Sequence, residues 1–146
     1  MHRLINLSEA TSIAIHSLTL ISKANSSINA SKISDLSGFS KNHLSKVMQV
    51  LVKQGYLSSN RGPKGGFRLI KDASSIRLLD IYNIFEGNIE NSKYIAHSEL
   101  CPFKDDIYGD IIDEIRKIFI DSFSNRTIAD IKWKDSIEYT KTDFKD

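Results

Sequence analysis

Apolar residues in the first third of the chain recur at steps of three and four. Ala10, Ile13, Ala14, Leu18 and Ile21 fall on one helical face with Ser8 placed as a cap, which predicts a helix over residues 8–22. Lys23 to Ser27 is polar and without period, and reads as a loop. A second, shorter helix fits Ala30–Ser37, with Ile33 and Leu36 inward, Asn29 or Ser31 as its cap, and Gly38 as its stop. Phe39 then occupies a turn, and Ser40 caps a third helix running to about residue 54. Leu44, Val47, Met48, Leu51 and Val52 form its apolar stripe; Leu44, Met48 and Leu51 are assigned to the core. Lys41, Asn42, His43, Ser45, Lys46 and Gln49 lie mostly on the opposite side, and Gly55 ends the helix. Two helices joined by a short glycine-containing turn, the second basic near its start, form a helix-turn-helix, although a purely structural helix pair has the same pattern.

The period then changes. Residues 56–59 and 67–70 are strand-like, and the segment 60–66 between them reads Asn-Arg-Gly-Pro-Lys-Gly-Gly. This predicts a β-hairpin directly after the third helix, the position of a wing. A structural hairpin needs the glycines but not Arg61 and Lys64. An arginine at such a tip can enter a narrow minor groove, where the negative potential is strongest. Gly65 and Gly66 would let the backbone come close to a phosphate chain.

Beyond the hairpin a helix fits residues 78–85, residues 88–104 are irregular, and the longest helical pattern covers residues 105–123. Within it Tyr108, Ile111, Ile115, Ile118 and Ser122 alternate steps of three and four, as a packed seam does. Asp105, Asp106 and Asp110 suit the positive end of a helix dipole. The helix could simply cover the winged domain. The width of its apolar face favours a dimer seam. Residues 133–146 are polar and are expected to form a flexible tail. The fold class expected is mainly α with a small β-hairpin wing. The chain divides into a winged helix-turn-helix domain over 1–86, a sensor-type loop over 87–104, a dimerisation helix and following segment over 105–132, and the tail.

Charge sharpens this division. Residues 1–77 hold 11 Lys/Arg against 3 Asp/Glu, a net +8, whereas residues 78–146 hold 9 against 15, a net −6. A basic half joined to an acidic half suggests a polyanion-binding face, with an unevenly charged but ordinary surface as the alternative. No apolar run approaches the roughly 18 residues of a membrane span, and the N-terminus lacks the pattern of a secretory leader. A single cysteine makes no internal disulfide, so a reducing cytoplasm is the expected compartment.

With these residues in place the chain resembles the IscR/NsrR/CymR-type family of winged helix-turn-helix transcription regulators. The resemblance rests on the order of helices and on the wing residues Arg61 to Leu69. It also rests on Ile76-Arg77-Leu78-Leu79-Asp80-Ile81, on Cys101-Pro102 before a long helix, and on Thr127-Ile128-Ala129-Asp130-Ile131. It covers about residues 1–132 and implies a homodimer built on the long helix, bound to a two-fold-related site on double-stranded DNA. By position, Ser40, Lys41, Asn42, His43, Ser45 and Lys46 would meet the major groove, with Arg61, Lys64, Gly65 and Gly66 at the minor groove. Serine and lysine suit phosphates, and asparagine and histidine can also read base edges.

The chain departs from the family where cluster-binding members carry three cysteines. Its loop has Cys101 alone, too few thiolates for a conventional iron–sulfur site even with help from Glu9 or His97, so no cofactor or metal is expected. Cys101 is open to three readings: a small buried side chain, a redox-sensing thiol before a helix N-terminus, or a ligand. His16 and His97 lack zinc-site spacing and read as structural or surface residues. The expectation is a regulator, with repression the expected sign, controlled by a small molecule, a partner protein or the redox state of Cys101. The alternative is a winged-helix protein-interaction module that has lost DNA binding. Arg61 and Lys64 speak against that alternative. Cys101 and His97, four residues apart, do not make an enzyme, and no phosphate-binding loop or paired-carboxylate motif supports one.

Overall fold

The computed structural model describes residues 5–24, 26–91, 100, 102–103, 107–108 and 110–133. Among these residues five α-helices and one hairpin follow in order: α1 (Glu9–Lys23), α2 (Ala30–Ser37), α3 (Lys41–Lys53), β1 (Leu57–Asn60), β2 (Gly66–Leu69), α4 (Leu78–Glu86) and α5 (Ile111–Ser124). Ser8 caps α1 by accepting from the Thr11 N–H, and Asn29, rather than Ser31, caps α2.

The core lies where the first three helices meet. Ile13, Ala14, Leu18 and Ile21 of α1 bury against Ile33 of α2 and Leu44, Val47, Met48 and Leu51 of α3, closed by Leu57, Ile76, Ile81 and Ile128. The predicted inward stripes of α1 and α3 are therefore the buried ones, with Val52 at the margin. A second, aromatic cluster docks α5 on α4. Tyr82 meets Phe119 edge-on at 4.9 Å, and Phe119 stacks on Phe123 at 4.2 Å.

The chain returns to the winged domain after α5. Leu78 N–H donates to the Arg126 carbonyl and Ile128 N–H to the Ile76 carbonyl, both at 2.9 Å. Asp130 accepts from the backbone N–H of Thr127 at 2.8 Å and from its hydroxyl at 3.0 Å, closing a tight turn. These contacts give the Thr-Ile-Ala-Asp-Ile segment its role: Ile128 is buried, and the threonine and aspartate hold it there.

Two boundaries differ from expectation. The hairpin strands lie one residue later and earlier than predicted, with Leu57 opposite Leu69 and Asn60 opposite Gly66. Tyr56 still takes part, since its carbonyl accepts from the Ile70 N–H at 3.0 Å. The long helix starts at Ile111 rather than at 105; Ile107 and Tyr108 form a turn, and Asp105 and Asp106 lie outside the described residues. Gly109 in the expected first turns disfavours helix by about 1 kcal/mol relative to alanine, which the apolar period does not register. Among the described residues no helix is long and apolar enough to cross a membrane.

Candidate nucleic-acid interface

The turn between α2 and α3 is fixed from both sides. Gly38 takes the left-handed conformation that ends α2 (φ 77°), where a Cβ would be strained. The Ser34 hydroxyl donates to the Phe39 carbonyl at 2.6 Å, and Ser40 accepts from the His43 N–H to start α3. Leu44, Val47 and Met48 then point into the core, which sets the rotation of α3 about its axis. As a result Ser40, Lys41, Asn42, Lys46 and Gln49 are exposed, and His43 and Ser45 are half-buried. His43 is engaged from α1: its Nδ1 lies 2.9 Å from the Glu9 carboxylate.

The hairpin stands beside this face. Its tip is a turn closed by the Gly65 N–H donating to the Gly62 carbonyl at 2.9 Å, and Arg61 and Lys64 are exposed on it. Gly65 and Gly66 have local structural duties. A Cβ on Gly65 would sit 2.4 Å from the Asn60 carbonyl oxygen, and one on Gly66 would sit 2.5 Å from that of Ile28. The Gly66 clash arises because Ile28 and Phe67 exchange backbone hydrogen bonds at 3.1 and 2.8 Å, tying the wing to the segment before α2. Between α3 and the hairpin runs a groove of about 340 Å³ lined by Ser45, Gln49, Val52, Lys53, Ser59 and Phe67. The outer face of α3 and the wing thus border one open channel.

Lys41, Lys46, Arg61 and Lys64 make no ion pair among the described residues, where the pairs are Arg77–Asp80 and Arg116–Asp113 and His43 meets Glu9 through a hydrogen bond. Exposed cationic side chains left without acidic partners are what a polyphosphate chain requires. Chemically the surface offers point charges and hydroxyls for phosphates, and an amide and an imidazole for base edges.

Sequence reasoning missed one polar cluster that positions this face. Glu86, at the end of α4, accepts from the Asn6 side chain at 2.6 Å, from the Ser8 backbone at 2.9 Å, and from the hydroxyls of Ser8 and Thr11. Partial burial pushes this carboxyl up, but the hydrogen bonds outweigh it and hold the group below the ordinary glutamate range. The cluster clamps the start of α1 to the end of α4. The Ser8 cap was readable in sequence; a partner 78 residues away was not. His16 is exposed, with Nδ1 2.7 Å from the Ser12 carbonyl, in keeping with its reading as a surface residue.

Cys101 and His97 lie outside the described residues. Among the described residues no three His, Cys, Asp or Glu side chains come together to hold a metal ion. With one thiol in the chain, the donors present do not fit a thiolate-held iron site.

Solved structures of similar fold include CymR (YrzC), the global cysteine regulator of B. subtilis, at 19% identity and a TM-score of 0.70, covering 86% of this chain and 95% of that one. IscR of T. potens is similar at 20% identity and TM-score 0.69, covering 86% and 85%. The oxidized form of Staphylococcus aureus CymR is similar at 21% identity and TM-score 0.69, covering 89% and 100%. A model of the Rrf2 family, described as iron-dependent transcriptional regulators, matches residues 7–133. From the hairpin wing, the helix-turn-helix and this match over nearly the whole described chain, the protein belongs to the Rrf2 family of transcriptional regulators and has its DNA-binding winged-helix fold.

Proposed function

We propose that the chain acts as a homodimeric, sequence-specific DNA-binding repressor in the cytoplasm, with α3 in the major groove and the hairpin tip at the minor groove. The observation that carries this reading is that α3, with Lys41 and Lys46 exposed, and the hairpin, with Arg61 and Lys64 exposed at its tip, border one open groove, and that these four cations make no ion pair among the described residues. Two-fold pairing is supported by α5, where Ile111, Ile115 and Ile118 are 59%, 39% and 66% exposed on the flank beside Phe119. With Ser122 they form the predicted seam, and a second copy of the same helix would cover it. Two winged domains joined this way would read two half-sites about one helical turn apart.

Control is assigned to an effector other than a thiolate-held cluster: a small molecule, a partner protein or oxidation of Cys101. The single cysteine per chain supports this. Selection of bound fragments from a random duplex pool, with reduced and oxidised protein, tests the reading. A pseudo-palindromic consensus is expected. Failure to enrich any sequence over the input would overturn it.

A further inference from the structure

We propose that Glu9 is a positioning residue for base reading. It fixes the His43 ring so that Nε2 faces DNA as a hydrogen-bond acceptor. That acceptor selects a base with an exocyclic amine, adenine or cytosine, at one position of each half-site. The inference rests on the DNA-binding reading of α3 given above.

An ionised carboxylate can only accept, so the 2.9 Å contact between Glu9 Oε2 and His43 Nδ1 requires the proton to be on Nδ1. In the neutral ring Nε2 is then a bare lone pair, and among the described residues it has no hydrogen-bond partner. His43 is the third residue of α3, in the first turn, the part of a recognition helix that meets base edges. Its backbone is held by the Ser40 cap at 3.3 Å. In the major groove only adenine N6 and cytosine N4 present amines to an acceptor there; guanine and thymine present oxygen.

Glu9 is itself held in place. Ser8 and Thr11, on either side of it in the first turn of α1, are both bound to Glu86. The carboxylate therefore comes from a clamped backbone rather than from a free surface segment. Glu9 also brings a negative charge beside the exposed Lys41 and Lys46 of α3, which weakens attraction to phosphate. Two opposite effects follow from removing it: base discrimination falls, and attraction to any duplex rises or stays the same. A merely structural residue would lower both.

The test uses the full-length protein at pH 8. Random-duplex selection is run with wild type, Glu9→Ala and His43→Ala. Nitrogen-15 NMR of the His43 ring is recorded for the wild type and Glu9→Ala. In the wild type, adenine or cytosine should be preferred at one position per half-site by roughly fivefold or more. Both variants should flatten that position alone, and Glu9→Ala should bind non-cognate duplex at least as tightly as wild type. The ring spectrum should show the Nδ1–H tautomer in the wild type and lose it in Glu9→Ala. An unchanged preference in a Glu9→Ala protein that still binds its site would overturn the proposal and leave the DNA-binding reading standing. So would a uniform loss at every position. A wild type that binds no duplex would instead remove the reading on which the proposal rests.

Discussion

Helices α3 and α5 are nearly equal in length, 13 and 14 residues, and both carry an apolar stripe at steps of three and four. They use it in opposite ways. In α3 the stripe is buried among α1, α2 and β1, and the polar face is left open beside the wing. In α5 only Phe119 is buried, while Ile111, Ile115 and Ile118 stay open. The exposed polar face of α3 suits a polyanion; the exposed apolar face of α5 suits another apolar surface. Amphipathic pattern alone therefore fixes that a helix forms, and the neighbours decide which face remains for a partner.

The largest effect that would sharpen this contrast is on stability. Leu44→Ala should cost about 2–5 kcal/mol in denaturant unfolding, since it opens a cavity in the core. The same truncation at Ile111, measured on dilute protein, should cost well under 1 kcal/mol. Equal costs would break the distinction between the two stripes. Next comes assembly. Ile118→Glu should convert a dimer to a folded monomer in sedimentation and weaken binding to a two-fold site by about 100-fold, as the linkage between half-sites is lost. A variant that remains dimeric would show that this face is not the seam.

A smaller loss is expected on the other helix's side of the molecule. Arg61→Ala should weaken duplex binding by roughly tenfold, most at A·T-rich flanks, and make the salt dependence shallower by about one. The smallest effect concerns the clamp. Glu86→Gln should cost on the order of 1 kcal/mol at neutral pH, because its acceptor bonds lose their charge assistance. The folded carboxyl titrates below its ordinary value near 4.5, so its contribution is present above that pH and lost as pH falls through the depressed range. Wild type and variant should therefore converge in stability on acidification; a gap that persists at low pH would argue against ionised Glu86 as the clamp.

Most of the fold was legible because it is local. The caps at Ser8 and Ser40, the stop at Gly38 and the stripes of α1 and α3 are each decided by residues within a few positions of one another. Gly66 shows where that reading ends. The sequence suggests a glycine kept for approach to phosphate, and gives no sign that the Ile28 backbone, from a segment with no visible pattern, also fills its Cβ position. The Glu9–His43 contact was hidden for the same reason, because it joins residues 34 apart on two helices. The seam proposed on α5 lay between these cases: its spacing was visible, but the turn at Tyr108 puts its first member outside the helix.

The central claim is that α3 and the wing form one cationic surface shaped to a duplex. Its most direct test is the affinity of the full-length protein for duplex DNA across a range of salt concentrations. The account predicts a log–log slope of roughly −5 or steeper for the dimer, reflecting several phosphates neutralised at once. A slope near zero would contradict it.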